Sequence, residues 1–183
     1  YTRSRSLAIL IDVLKRVGSG TLVIGAASNE DSMIRSYPAA LANAIAVGSV
    51  GGGHDDDSVR KSNFSNFGPW VDISAPGHIN STVSGGESRV MAGTSMASPV
   101  VAGSVGLLIA VFPRLSFLEI RDRIIKGANA AKLYGADAKG GPENSQYYYP
   151  KIAGEFARRP LLGGGLVDAD AMVKGNGNFA TGQ

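Results

Sequence analysis

Cysteine is absent from the 183 residues, which excludes a disulfide framework and any cysteine-built metal site. Charge is sparse at 18%, aromatics make up 7%, and the scattered Lys and Arg leave a net charge of only +3. Without a basic stripe interleaved with stacking aromatics, no nucleic-acid partner is expected. Long apolar runs are missing too. The longest, 100–112, has 13 residues and includes Gly103, Ser104 and Gly106. It is too short to cross a bilayer, so no membrane partner is expected, and it reads as a buried helix. Proline reaches only 8 and glycine shows no three-residue period, which excludes collagen. No signal sequence opens the chain: Tyr1, Thr2, Arg3 and Ser4 lead directly into a helical pattern, a start that reads as the middle of a longer protein.

Glycine is in excess, 25 of 183, about twice its usual share. With 44% hydrophobic residues the chain is foldable, so the excess points to tight turns and to backbone that approaches something closely. The length suits one domain.

Leu7, Leu10, Ile11, Leu14 and Val17 recur at helical spacing, and Gly18 and Gly20 close that helix. Residues 21–27 read as a buried, parallel strand that opens into a polar loop, 28–32. In open α/β sheets ligands bind at such strand ends. Further strands are predicted over 44–50, 71–74 and 79–83, with a turn at 51–58 and another at Gly85 and Gly86. From Ser95 to Phe112 the sequence is apolar on nearly all sides, which predicts a central helix buried all round, ended by Pro113. Ser116 and Glu119 have capping-box spacing. The next helix is expected to bury Leu118, Ile120, Ile124 and Ile125 before Gly127. Residues 130–162, including Tyr147, Tyr148 and Tyr149, lack sustained periodicity and read as a surface insertion with some local structure. Gly163, Gly164 and Gly165 turn into a short strand and a capped last helix, and the tail from Lys174 is expected to fray.

Chemistry concentrates in Gly93-Thr94-Ser95-Met96-Ala97-Ser98-Pro99. A serine here stands where an extended approach meets a long apolar helix, whose first N–H groups are unpaired and stabilise negative charge. Gly93 lets a substrate backbone come close and Thr94 adds a hydroxyl. These are the needs of a serine nucleophile whose attack creates an oxyanion. On local grounds alone the plainer reading is that Ser95 is only a helix N-cap. Asn29, in the loop after the first strand, is a candidate second oxyanion donor; the plainer alternative is an Asn that closes a turn.

The stretch 93–99 closely resembles the serine motif of the subtilisin-like serine proteases, and 23–30 resembles the strand and loop that hold the family's oxyanion asparagine. Residues 37–39 with 44–48, 64–68 with 71–77, and 165–169 resemble further family segments in the family's order. The resemblance implies an α/β fold, a three-layer αβα arrangement with a mostly parallel sheet, present only in part, with the whole chain as the C-terminal portion of a peptidase domain. It implies a serine endopeptidase with Ser95 as nucleophile, and with Asn29 and the Ser95 N–H as oxyanion donors. Ala26, Ala27 and Ser28 would line the pocket for the residue before the cut, Glu30 and Ser36 would lie at its floor or rim, and Thr94 would border the substrate. Ser28 replaces the family's usual Gly, which narrows that wall. A cis Tyr37–Pro38 bond is expected by the same resemblance.

A serine nucleophile needs a base and a carboxylate that orients it. His54 and His78 are the two histidines, and neither lies in the family's His-Gly-Thr helix start, so both read as solvated loop residues. The resemblance therefore makes the chain a fragment that is inactive alone, with the N-terminal half of the same protease as the partner that supplies Asp and His, and a polypeptide as substrate. No cofactor is required for the chemistry and no metal ligand is assigned, although structural calcium fits the resemblance; Asp55, Asp56 and Asp57 could hold a hard cation weakly, and the plainer reading is a solvated turn. Most relatives are exported, which implies a secreted or extracytoplasmic location. The competing reading is a degenerate, non-catalytic module that binds a peptide or partner. A lipase-type hydrolase fails, because Ala97 stands where its elbow needs Gly and no His follows Ser95.

Overall fold

The computed structural model describes residues 4–16, 21–51, 59–134 and 161–175. Its elements in chain order are α1 (Arg5–Arg16), β1 (Val23–Ala26), β2 (Ala44–Val50), β3 (Ile73–Pro76), β4 (His78–Thr82), β5 (Ser88–Ala92), α2 (Thr94–Val111), α3 (Phe117–Lys126), α4 (Ala130–Tyr134) and α5 (Ala169–Lys174). Gly18, Gly20, the 52–58 part of the turn with His54 and Asp55, Asp56 and Asp57, the tyrosines 147–149 and the tail beyond 175 lie outside the described residues.

The three strands β1-β2-β3 form a parallel sheet, with Ile24 opposite Ile45 and Val47 opposite Ile73. Every residue of β2 is buried, as a central parallel strand covered on both faces must be. Side chains alternate across it. Ile45 and Val47 join Ile73 and Ala75 in a core shared with α2, α3 and α5. Ala44 packs with Ile11 of α1 and Leu41, while Val50 packs with Leu133, Tyr134 and Leu162. Helices thus cover both faces and give the αβα layering. β1, at the sheet edge, is only half-buried throughout, less than its apolar sequence predicts.

β3 begins at Ile73, two residues later than the sequence pattern suggests, because the Val71 N–H turns back to the Gly68 carbonyl. Asp72 just before it binds the sheet through its side chain. Its carboxylate accepts from the Ala46 N–H at 2.8 Å and from Arg121 Nη2 of α3 at 2.8 Å. Burial raises the Asp72 pKa above its ordinary 3.8, against the opposing pull of the Ala46 N–H and the guanidinium. Removing Arg121 raises it further and leaves the ionised carboxylate short of a partner. Arg121→Met is therefore expected to lose about 1–2 kcal/mol at neutral pH, discounted for the part-exposed guanidinium. A carboxyl whose folded pKa is raised favours the fold most when protonated, and the variant raises it further, so this loss is full at neutral pH, shrinks as pH falls through the folded Asp72 values, both above the ordinary 3.8, and is gone below 3.8. Urea unfolding at pH 3 and pH 7 checks the sign.

α2 departs most from the sequence reading. Thr94, Ala97, Val101, Ser104, Val105 and Leu108 are buried, and each large apolar member contributes about 1.5–3 kcal/mol. The other side is bare: Leu107 is 59% and Val111 53% exposed, and the space over Gly103 and Gly106 is open. All-round apolar composition predicted all-round burial, but the described residues cover one side only. By length and apolarity α2 would also suit a bilayer, yet it packs across β1, β2 and β3.

Around α3 the capping box forms as expected, with Glu119 Oε2 accepting from the Ser116 N–H at 2.7 Å. Phe117, rather than Leu118, is the buried residue of the first turn; Leu118 is exposed. The ends of the 130–162 segment are not on the surface: Leu133, Tyr134, Leu161 and Leu162 are all buried. Leu166 bridges Ser74 and Asn129 rather than forming a full strand, and Asp168 caps α5 through the Ala171 N–H.

Candidate active site

The exposed hairpin β4–β5, turned by Gly85 and Gly86 at φ +95° and +79°, delivers the chain to Gly93. The Gly93 N–H donates to the Gly77 carbonyl at 2.9 Å, which fixes the start of α2 beside the end of β3. Gly93 is the N-cap and makes no side-chain cap. Ser95 is thus the second helical residue, not the cap, and among the described residues its exposed hydroxyl has no hydrogen-bond partner.

The loop after β1 comes to meet it. The Ala27 N–H continues the ladder to the Val47 carbonyl, and the chain then turns at Ser28 with φ +87°. Asn29 Oδ1 accepts from the Thr94 N–H and from Thr94 Oγ1, each at 2.9 Å. A backbone N–H can donate only to the amide oxygen, so this pair fixes which way the Asn29 amide faces and turns Nδ2 outward. A β-carbon placed on Gly93 would stand 3.5 Å from Asn29 Nδ2 and 3.7 Å from the Ser95 nitrogen. Among the described residues no acceptor takes either donor. Two donors from separate elements therefore lie within 3.7 Å of one point beside Gly93, with Met96 Sδ 3.6 Å from the same point. An anionic oxygen is the group such a spot accommodates.

The other candidate residues divide. Thr94 is fully buried; besides holding Asn29, its Oγ1 accepts from the Ser28 N–H at 3.1 Å, so it ties the loop to the start of α2. Ala26 is half-buried and Ala27 is fully buried. Ser28 Oγ reaches the exposed carboxylate of Glu30 at 3.1 Å. Ser36 is buried beside the cis Tyr37–Pro38 bond and, among the described residues, makes no hydrogen bond to the Asn29–Ser95 group. His78 is placed elsewhere, its ring 5.7 Å from Phe64 at the edge of a hollow of about 290 Å³ that shares no lining residue with Asn29 or Ser95. Among the described residues no group of His, Asp or Glu side chains is disposed to hold a metal ion.

Two residues the sequence did not single out hold the loop. Asn66 is buried, and its Oδ1 accepts from the Glu30 N–H at 2.9 Å and the Ser32 N–H at 3.3 Å. Lys61 is also buried, with Nζ 2.6 Å from Asp31 Oδ1. Neither stands out locally: Lys61 directly follows Arg60, and Asn66 lies within the family-like stretch 64–68.

The sequence model described as the subtilase family matches residues 2–149. The chain belongs to the subtilase family. It is 42% identical over 127 residues to the thermophilic serine proteinase of Bacillus sp. (strain AK1), covering 69% of this chain and 30% of that protein. It is 42% identical over 106 residues to the halolysin-like extracellular serine protease Nep of Natrialba magadii, covering 57% and 19%. A solved protease from Pseudoalteromonas arctica superimposes with a TM-score of 0.68 at 22% identity, covering 94% of this chain and 47% of that one, which shows the fold. A structure titled S41 psychrophilic protease gives 0.61 at 30% identity over 67% and 44%. This subtilase chain spans less than a third of the length of the two curated relatives named.

Proposed function

We propose that the chain contributes the nucleophile and oxyanion pocket of a serine endopeptidase. The observation that carries this reading is that Asn29 Nδ2 and the Ser95 nitrogen, one from each of two separate elements, lie 3.5 and 3.7 Å from the same point beside Gly93. Ser95 Oγ attacks the scissile carbonyl carbon and its proton passes to a base. The carbonyl oxygen becomes an oxyanion held by the two donors. The carbon–nitrogen bond then breaks, the amine leaves with the base's proton, and water hydrolyses the remaining ester. Side chains and backbone donors suffice for these steps, so the reaction so read uses no cofactor.

Among the described residues no histidine hydrogen-bonds Ser95, so the base and its carboxylate partner are assigned to a further segment of the same protease. The bare apolar side of α2 and the half-buried edge strand β1 support such a neighbour: both are surfaces that isolated domains ordinarily cover. The relatives' greater length supports it as well. Polypeptide is the proposed substrate, and an exported location follows the printed name of the extracellular relative.

A fluorophosphonate probe tests the reading. In the complete protein Ser95 is expected to label, with Ser95→Ala as the blank, and the 183-residue chain alone is expected to label far more slowly. Absence of labelling in the complete protein contradicts the endopeptidase and favours a module that binds peptide without cutting it.

A further inference from the structure

The Asn29 loop has an unfavourable backbone. Ser28 and Asp31 both take positive φ, +87° and +47°, a region that favours glycine. Something outside the loop must hold it there, and the structure shows what does. Residues 61–66 are sewn to β2: Lys61 bridges Val50, the Ser62 N–H donates to the Ser49 carbonyl at 3.0 Å, and the Ser49 N–H donates to Ser65 Oγ at 2.9 Å. From this platform Lys61 sends its side chain, only 2% exposed, into a cage of oxygens. Nζ donates to Asp31 Oδ1 at 2.6 Å and to the carbonyls of Ser62, Asn63 and Ser65 at 3.0, 3.4 and 3.0 Å. The Phe67 ring lies 5.3 Å away. The Asp31 N–H meanwhile donates to the Phe64 carbonyl of the same platform at 2.9 Å.

An ammonium inside a ring of carbonyls is a fixed point, because burial leaves it no water to exchange with and the carbonyls belong to backbone tied to the sheet. Asp31 is the exposed end, 60% open on a strained loop that Asn66 and Phe67 tie to the same platform on either side of it. We propose that Lys61 is a positioning residue for the reaction: through Asp31 it holds the 28–32 loop so that Asn29 and Ser95 meet the same oxyanion. This rests on the endopeptidase reading above. Lys61 touches neither substrate nor Ser95; it acts by fixing where the Asn29 donor stands.

Two variants of the complete protein test it. Asp31→Gly cuts the tether while suiting the positive φ, so the fold is kept. Lys61→Ala empties the cage and lacks three carbons and the nitrogen, the composition of n-propylammonium. Each is expected to lower kcat on a peptide substrate by about 10–10²-fold with KM changed less than about twofold, since a displaced donor weakens transition-state binding and spares ground-state binding. Added n-propylammonium is expected to restore kcat saturably in Lys61→Ala and to leave Asp31→Gly unrestored. If Lys61→Ala does not fold, Asp31→Gly alone decides. Wild-type kcat in a folded Asp31→Gly variant, or a loss that appears in KM instead, overturns the proposal while the endopeptidase reading stands. An unreactive Ser95 in the complete wild-type protein overturns both.

Discussion

Replacing Asn29 by leucine is expected to lower kcat on a peptide substrate by about 10²–10³-fold with little change in KM; that magnitude is the one known for an oxyanion donor in subtilisin, a member of this family, and is carried over from it. The direction follows from the geometry. Asn29 Nδ2 lies 3.5 Å from the point beside Gly93, and on the proposed reading an oxygen there bears full charge only after attack has begun, so the donor would act on the transition state and not on the bound ground state. Leucine also strands the Thr94 N–H and hydroxyl, both of which lose the Asn29 oxygen, and that adds about 1–3 kcal/mol of destabilisation. Asn29→Asp separates the two effects. The aspartate keeps an acceptor for Thr94 and turns its second oxygen toward the oxyanion, so it is expected to fold like the wild type and to be as inactive as the leucine variant or more so. Steady-state kinetics alongside thermal unfolding check both.

The second large effect is on stability. Gly163 has φ +79°, and a β-carbon there would stand 2.3 Å from the Asp72 carbonyl carbon and from the Ile73 nitrogen. Both are backbone atoms at the start of a buried strand and cannot step aside. The same short stretch is locked by the Gly164 N–H on the Asp72 carbonyl at 2.9 Å and by Tyr134 Oη, which donates to the Gly163 carbonyl at 2.8 Å. Gly163→Ala is therefore expected to cost about 3–5 kcal/mol, from steric overlap together with backbone strain, a large share of a typical domain's total stability. Gly85→Ala is the control. Its φ of +95° is just as unsuited to alanine, but nothing lies within 4 Å, so only the strain of about 1 kcal/mol is expected. Denaturant unfolding of the two variants against the wild type gives the comparison.

Local chemistry was legible wherever cause and effect lie within a few residues. The Ser116–Glu119 capping box, the Asp168 cap and the Gly85–Gly86 turn are complete within four residues of sequence and form as read. Ser95 and Asn29 were paired for a different reason, since the resemblance of two motifs joins residues that no local pattern connects, and the structure brings Asn29 onto Thr94, the neighbour of Ser95. What escaped depends on distant chain. The Lys61 ammonium finds its partners only after 28–32 and 61–66 fold together, so nothing beside Lys61 marks it as buried. Thr94 was singled out beside Ser95, and its hydrogen-bond partners Ser28 and Asn29, 66 and 65 positions away, could not be read from its neighbours. The burial of α2 was overestimated because apolarity on all sides says what could be covered, not what covers it. Leu118 and Phe117 are adjacent and both apolar, and helix phase alone did not choose between them.

Whether one oxygen is held by both donors is decided by a structure of the complete protein with a peptide boronic acid. Boron is expected to bond to Ser95 Oγ, with one boronate oxygen about 2.7–3.1 Å from both Asn29 Nδ2 and the Ser95 nitrogen. A boronate bonded to Ser95 with that oxygen turned away from Asn29, or bound at another residue, contradicts that expectation.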